Sequence, residues 1–495
     1  MSTPYRVQNY IGGIWQDSAS GKTTEDLNPA SGEVLALVPD SAAADVDQAV
    51  AAAALAYQSW RLTPPPKRGE IVARAGQILA RRKEELARMM TREMGKVLEE
   101  AKGDVQEGID MAAYMSGEGR RSFGYTTTSE LPDKFAMAIR DPIGVGALIT
   151  PWNFPMAIPT WKTFPALVAG NTLVFKPATD TPLLAMELVR ALEEAGLPKG
   201  VLNLVCGSGG TVGERLISHP QIQFISFTGS GAVGRHVASV GGEGLKRISL
   251  ELGGKNAVIV MDDANLDLAV DGIIWSAYGT AGQRCTACSR VIVDRPIHHQ
   301  LVERLVGRVR ALNLGDGLDP AVQVGPVISR TARDRIHGYV EVGVQEGARL
   351  IAGGDVAEDG ALARGHFYQP TLFDQVTPDM RIAKEEIFGP VLSVIEADGL
   401  EDALTKANSV AYGLSASIFS QDVNRVFRAV RDLATGIVYV NAGTTGAEIH
   451  LPFGGQKGTG NGHREAGTAA IDFFTEWKAV YVDYSGRLQR AQIDT

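Results

Sequence analysis

Cysteine is scarce: the 495-residue chain carries three, Cys206, Cys285 and Cys288. Three thiols make no disulfide framework, which points to a reducing, cytoplasmic setting. A zinc site is also excluded, because Cys285 and Cys288 have no second C-x-x-C and no H-x₃₋₅-H to complete four ligands; no metal is expected. Basic excess is missing too. Lys and Arg number 48 against 57 Asp and Glu, a net charge of −9, which argues against nucleic acid or an anionic membrane as the main partner. No apolar run approaches the roughly 20 residues of a membrane span; residues 145–150 are only strand-sized. The amino terminus, Met1-Ser-Thr-Pro-Tyr-Arg-Val, lacks a charged segment followed by an apolar one, so no signal peptide is expected. Repeats and low-complexity linkers are absent as well.

What remains is ordinary globular composition, 44% hydrophobic and 21% charged, in a chain too long for one core, since single cores stop growing near about 250–300 residues. Residues 5–40 read as short strands and turns. A helix is expected over 42–60, ended by Pro64-Pro65-Pro66, and one or two long amphipathic helices over 67–122. A strand pair follows at 125–129 and 135–140. From 143 to 270 apolar strands at 145–150, 172–175, 202–205, 223–227, 247–250 and 257–260 alternate with helices at 182–195, 211–218 and 232–240, the βαβ rhythm of a doubly wound sheet. A second α/β series runs to about 460, with strands at 290–293, 391–396, 415–419 and 437–440 and helices at 297–312 and 331–346. The tail at 473–483 again reads as a strand. Two α/β lobes imply a cleft between them.

The scarcity of thiols draws attention to Gly282-Gln283-Arg284-Cys285-Thr286-Ala287-Cys288. Glycine lets backbone approach a substrate. The cation Arg284 beside Cys285 is expected to lower the thiol pKa and favour the nucleophilic thiolate. Gln223 through Gly234 reads as a strand, then Gly229-Ser230-Gly231-x-x-Gly234, then a helix, a pattern that suits a dinucleotide pyrophosphate. Glu251 lies where a ribose-binding acid is sought, and serves equally as a general base on the tight turn before Gly253-Gly254. Asn153, in the rigid turn Pro151-Trp152-Asn153-Phe154-Pro155, can offer an amide to an oxyanion. Lys176 ends a strand on the nucleotide side of such a sheet.

Seven motifs in order resemble the aldehyde dehydrogenase superfamily: Pro151–Pro155, Lys176-Pro177, Phe227-Thr-Gly-Ser230, Glu251-Leu-Gly-Gly254, Gly282-Gln-Arg-Cys285, Glu385–Pro390 and Pro452–Gly455. The resemblance implies a Rossmann-like cofactor domain (1–124 and 142–253), a catalytic domain (254–460) and oligomerisation strands (125–141 and 472–485) that make dimers or tetramers. It implies NAD or NADP as cofactor and a small aldehyde as substrate. Cys285 would form a thiohemiacetal and then a thioester, with Asn153 and a backbone amide holding the oxyanion, Glu251 activating water and Lys176 completing the catalytic set. Thr150, Trp152, Lys176, Thr179, Gly209, Phe227, Gly229, Ser230, Gly234, Leu252, Glu386 and Phe388 would contact the cofactor. Thr179 stands where NAD-preferring members often carry Glu, which admits NADP. Arg121 and Arg284 match anion-binding arginines of glyceraldehyde-3-phosphate members, while Trp161 replaces the Arg typical of succinic semialdehyde members. With Thr286, these four are the substrate candidates, for glyceraldehyde or a semialdehyde; Arg284 serves equally in a local salt bridge. A Cys285–Cys288 redox pair, a catalytically silent relative and a coenzyme A-acylating enzyme are the alternatives.

Overall fold

A computed structural model describes residues 4–121 and 124–493. Residues 1–3, within the stretch read for a signal peptide, and residue 122, at the end of the expected helical region, lie outside them. Two seven-stranded sheets dominate. In the first, Arg247–Glu251, Phe224–Thr228, Val145–Ile149, Thr172–Lys176 and Leu202–Leu204 run parallel in that spatial order. Asn9–Ile11 and Ile14–Gln16 extend it antiparallel. The parallel strands are buried on both faces, because Pro182–Glu194 and Gly231–Glu243 among other helices cover them. That burial explains why they read as unbroken apolar runs.

The second sheet has the order Arg349–Ala352, Thr371–Asp374, Val391–Ala397, Cys288–Asp294, Asn256–Val260, Ser415–Phe419 and Ile437–Val440, parallel except at its first pair. Asn256–Val260 therefore belongs here, not to the first α/β series that seemed to run to residue 270. The chain crosses from one sheet to the other through Leu252-Gly253-Gly254-Lys255, so a motif-bearing turn is also the passage between lobes.

The region over 67–122 is three helices, not one or two: Pro65–Arg81, Lys83–Met94 and Leu98–Glu118. Gly95 ends the second in a left-handed cap, φ 93°, and a Cβ there would lie 2.7 Å from Pro326. A third sheet, Thr475–Asp483, Lys134–Pro142 and Gly124–Thr128, is antiparallel and mostly exposed. Its outward side chains include Tyr125, Phe135, Trp477 and Tyr481. Among the described residues no helix is long and apolar enough to cross a membrane.

Candidate active site

The segment before Cys285 is a strained turn. Thr280 and Ala281 hold φ 53° and Gly282 φ 68°, a run of left-handed residues that side chains resist. Gly282 has no substitute, since a Cβ would sit 2.2 Å from the Gly389 carbonyl oxygen. Glu100, from the helix Leu98–Glu118, restrains the turn. Its carboxylate accepts the Thr280 N–H at 2.8 Å and the Thr280 hydroxyl at 2.9 Å, and pairs with the Arg284 guanidinium at 3.1 Å. Asn153 donates to the Gln283 carbonyl at 3.0 Å, and Asn256 to the Cys285 and Ala287 carbonyls at 2.7 and 2.9 Å. The nucleophile is thus fixed through its own backbone.

The expected effect of Arg284 on the thiol is overturned. Burial pushes the Cys285 thiol up to about 12, and the Glu251 and Glu386 carboxyls add to the rise; the backbone amides of Thr286 and Cys285 pull the other way. Arg284 is spent on Glu100 and lies against the Trp275 ring, 5.0 Å away. Cys288 begins a central strand, is 1% exposed, and its thiol donates to the Arg290 carbonyl at 3.5 Å. It packs as part of the second core.

Cys285 opens on a cavity of about 230 Å³ whose wall also contains Glu251, Trp161, Arg284, Thr286 and Phe453. Glu251 is buried, and neither carboxyl oxygen has a hydrogen-bond partner. Burial, then the charge of Glu465, holds its pKa well above the usual carboxylate range, against the pull of Lys162 and Arg464. Lys162 pairs with Glu465 and donates to Ser226 at 2.9 Å. Gly454 explains the glycine-rich loop: a Cβ there would lie 2.7 Å from Glu251 Oε1.

On the other side of the thiol lies a cleft of about 180 Å³, lined by Trp152, Asn153, Gly229, Ser230, Leu252, Glu386, Phe388 and Cys285 among others. Ser230 caps the helix Gly231–Glu243, its hydroxyl accepting the Val233 N–H at 3.4 Å. The Gly254 N–H donates to Glu386 Oε1 at 2.9 Å. A Cβ on Gly253 would strike that carboxyl, at 2.0 Å. Trp152 and Phe388 meet edge-on, centroids 5.5 Å apart. An anion-favouring helix start, bare glycine backbone, aromatic faces and an acid fit a dinucleotide.

Further along the same strand ends, the Thr150 N–H donates to the Lys176 carbonyl at 3.2 Å. Lys176 is buried, its amine donating to the Pro177 carbonyl at 2.9 Å, and burial lowers its pKa. Thr179 is exposed and bonds Asp180 at 3.4 Å. Phe227 is buried in its strand, Gly234 packs on Leu252, and Gly209 opens the turn Gly209–Gly213 that passes Lys176. Arg121 does not join the cavity wall. It is exposed at the end of its helix and pairs with Glu118 at 2.6 Å. Sequence reasoning missed Glu100, Glu107, Thr445, Lys162 and Glu465. The signal for the first two was the spacing of Glu100, Asp104 and Glu107, which puts three acids on one helical face.

A cleft suited to a dinucleotide and a second cavity that share one thiol point to a nicotinamide-dependent oxidoreductase with a cysteine nucleophile. The sequence profile described as the Aldehyde dehydrogenase family matches residues 15–480. The chain is 44% identical to the alpha-ketoglutaric semialdehyde dehydrogenase of Bacillus subtilis, over 96% of this chain and 97% of that protein. It is 45% identical to the alpha-ketoglutarate semialdehyde dehydrogenase of Haloferax volcanii, over 96% and 99%. A crystal structure of betaine aldehyde dehydrogenase from Staphylococcus aureus in complex with NAD+ superposes with a TM-score of 0.95 at 34% identity, covering 97% of this chain and 95% of that one. The chain belongs to the aldehyde dehydrogenase family. It is an enzyme that oxidises an aldehyde to the acid with NAD(P)+, which sets aside the catalytically silent alternative.

Proposed function

We propose that the substrate is alpha-ketoglutarate semialdehyde, the five-carbon 2,5-dioxopentanoate, and the product 2-oxoglutarate. The observation that carries this is near-full-length identity of 41–45% to three relatives named for that aldehyde, among them the 2,5-dioxopentanoate dehydrogenase of Saccharolobus solfataricus. Betaine aldehyde is the second reading, because relatives at 39% identity are named for it and the cavity wall holds the aromatic rings a quaternary ammonium prefers.

In this reading Cys285 attacks the aldehyde carbon, forming a C–S bond, and Glu251 accepts the thiol proton. The Asn153 amide and the Cys285 backbone N–H receive the oxyanion. Lys176, Glu386, Phe388 and the Gly229–Gly234 turn hold the cofactor, with Thr150, Trp152, Thr179, Gly209 and Leu252 around it. When bound, the cofactor would supply the hydride acceptor. Glu251 passes that first proton to solvent and then draws another from water, which attacks the thioester and expels the thiolate. A base in this place favours hydrolysis over transfer to coenzyme A. The cofactor domain (1–124 and 142–253) and catalytic domain (254–460) would each own one large sheet, and the exposed antiparallel sheet would join subunits as dimers or tetramers in the cytoplasm.

Steady-state kinetics on an aldehyde panel, with NAD+ and with NADP+, test the assignment. The expected result is kcat/KM for 2,5-dioxopentanoate at least tenfold above those for betaine aldehyde, glyceraldehyde, its 3-phosphate, succinic semialdehyde and pentanal. A preference for any other member rejects it.

A further inference from the structure

The acids around the aldehyde cavity are mostly already paired. Glu99 meets Lys102 at 2.8 Å, Glu100 meets Arg284 at 3.1 Å, and Asp104 meets Lys96 at 2.8 Å. Among the described residues the one cation on the wall is Arg284, and its pairing leaves little net charge to attract an acidic substrate. Polar groups without partners are concentrated here instead. Trp161 is 5% exposed and its indole N–H has no acceptor; the Thr445 hydroxyl is buried without a partner; both residues line the cavity. Glu107 lines it too, on the helical face shared with Glu100 and Asp104. Buried donors left open are rare in a folded protein and lose free energy until something accepts from them.

We propose that Trp161, Thr445 and Glu107 form a subsite for the oxygen-bearing end of the aldehyde, in which the Trp161 N–H, the Thr445 hydroxyl and a protonated Glu107 donate to the 2-oxo and carboxylate oxygens. This rests on the substrate reading above and explains how a nearly neutral wall selects an acidic aldehyde: by donors and not by charge. Glu107 suits the part, since burial and the neighbouring Asp104 push its pKa up to about 8, so it keeps its proton at neutral pH. The charged groups acting on it are Asp104 and Asp110 on its own helix, Lys96 ahead of that helix and Arg284 on the nucleophile turn; Tyr439, from the strand Ile437–Val440, is the other titratable neighbour.

The test is the ratio of kcat/KM for 2,5-dioxopentanoate to that for pentanal, which has the same chain length and no distal oxygen. In Trp161→Phe and Thr445→Val the ratio falls by about tenfold or more, through KM, because each change removes one donor with little change of shape. Glu107→Gln, which keeps a donor, preserves the ratio, whereas Glu107→Leu lowers it. With the wild-type enzyme the ratio drops as pH rises through about 8; with Glu107→Gln it does not. A high wild-type ratio left intact by Trp161→Phe and Thr445→Val overturns the subsite alone. A wild-type ratio at or below one overturns the substrate reading and the subsite with it.

Discussion

Cys285 could be found because thiols are rare in the chain, yet its chemistry could not be read from the residue beside it. Arg284 is next in sequence but turns to Glu100, whereas Glu251 and Glu386, distant in sequence, set the electrostatics of the thiol. Sequence adjacency fixes backbone neighbours; charge acts through space. This has a measurable sign. Glu251 raises the thiol pKa, so Glu251→Gln shifts alkylation of Cys285 by iodoacetamide to lower pH, read by peptide mass spectrometry. The same variant loses about 10²–10⁴-fold in kcat, the usual worth of a general base. In the wild type, hydrolysis rises with pH, because a carboxyl held above its normal range becomes a base only as pH climbs past its shifted value. A flat profile would remove Glu251 from the base role. The residues that sequence missed were polar groups whose surroundings exist only in three dimensions: Glu100 and Lys162 find their partners far along the chain, and the Thr445 hydroxyl finds none.

The helix Leu98–Glu118 shows what element-scale reading captures and what it overlooks. Its apolar periodicity identified a helix in the region, and Val105, Met111 and Met115 are fully buried. The breaks at Arg82 and Gly95 were obscured because the apolar spacing continues across them. The acids at 100, 104 and 107 were not singled out in the sequence, though their face is turned to the nucleophile turn and cavity. Glu100 bears most on stability. Removing it strands the Arg284 cation and leaves the left-handed Thr280 N–H without its acceptor. Glu100→Ala is expected to destabilise the fold by about 3–5 kcal/mol, the loss typical of a broken buried pair, seen as a lower unfolding midpoint. Glu100→Gln, which still accepts from Thr280, should lie between this variant and the wild type. Equal midpoints for all three would show that the turn holds without Glu100.

Across the whole molecule, the alternation of strands and helices was legible because parallel strands buried on both faces leave unmistakable apolar runs. Which sheet each strand joins was less so: Asn256–Val260 follows Arg247–Glu251 by a few residues and lies in the other sheet, and pairing is decided by contacts far along the chain. The third sheet was visible as an exposed pair of strands and a tail. Its outer strands keep open edges and large side chains, Trp477 at 51% and Tyr481 at 67% exposure, a surface that invites pairing with another copy. Light scattering of Tyr481→Asp with Val482→Asp should report a smaller particle than the wild type; an unchanged mass would remove this sheet from any subunit contact. One arrangement bears on the side from which water reaches the sulfur. The cavity and the cleft share little wall beyond Ile158, Thr228, Leu252 and Cys285. The sulfur is thus a threshold between two rooms. Glu251 stands on the aldehyde cavity and not on the cleft, so the water it would activate meets the acyl group from the substrate side.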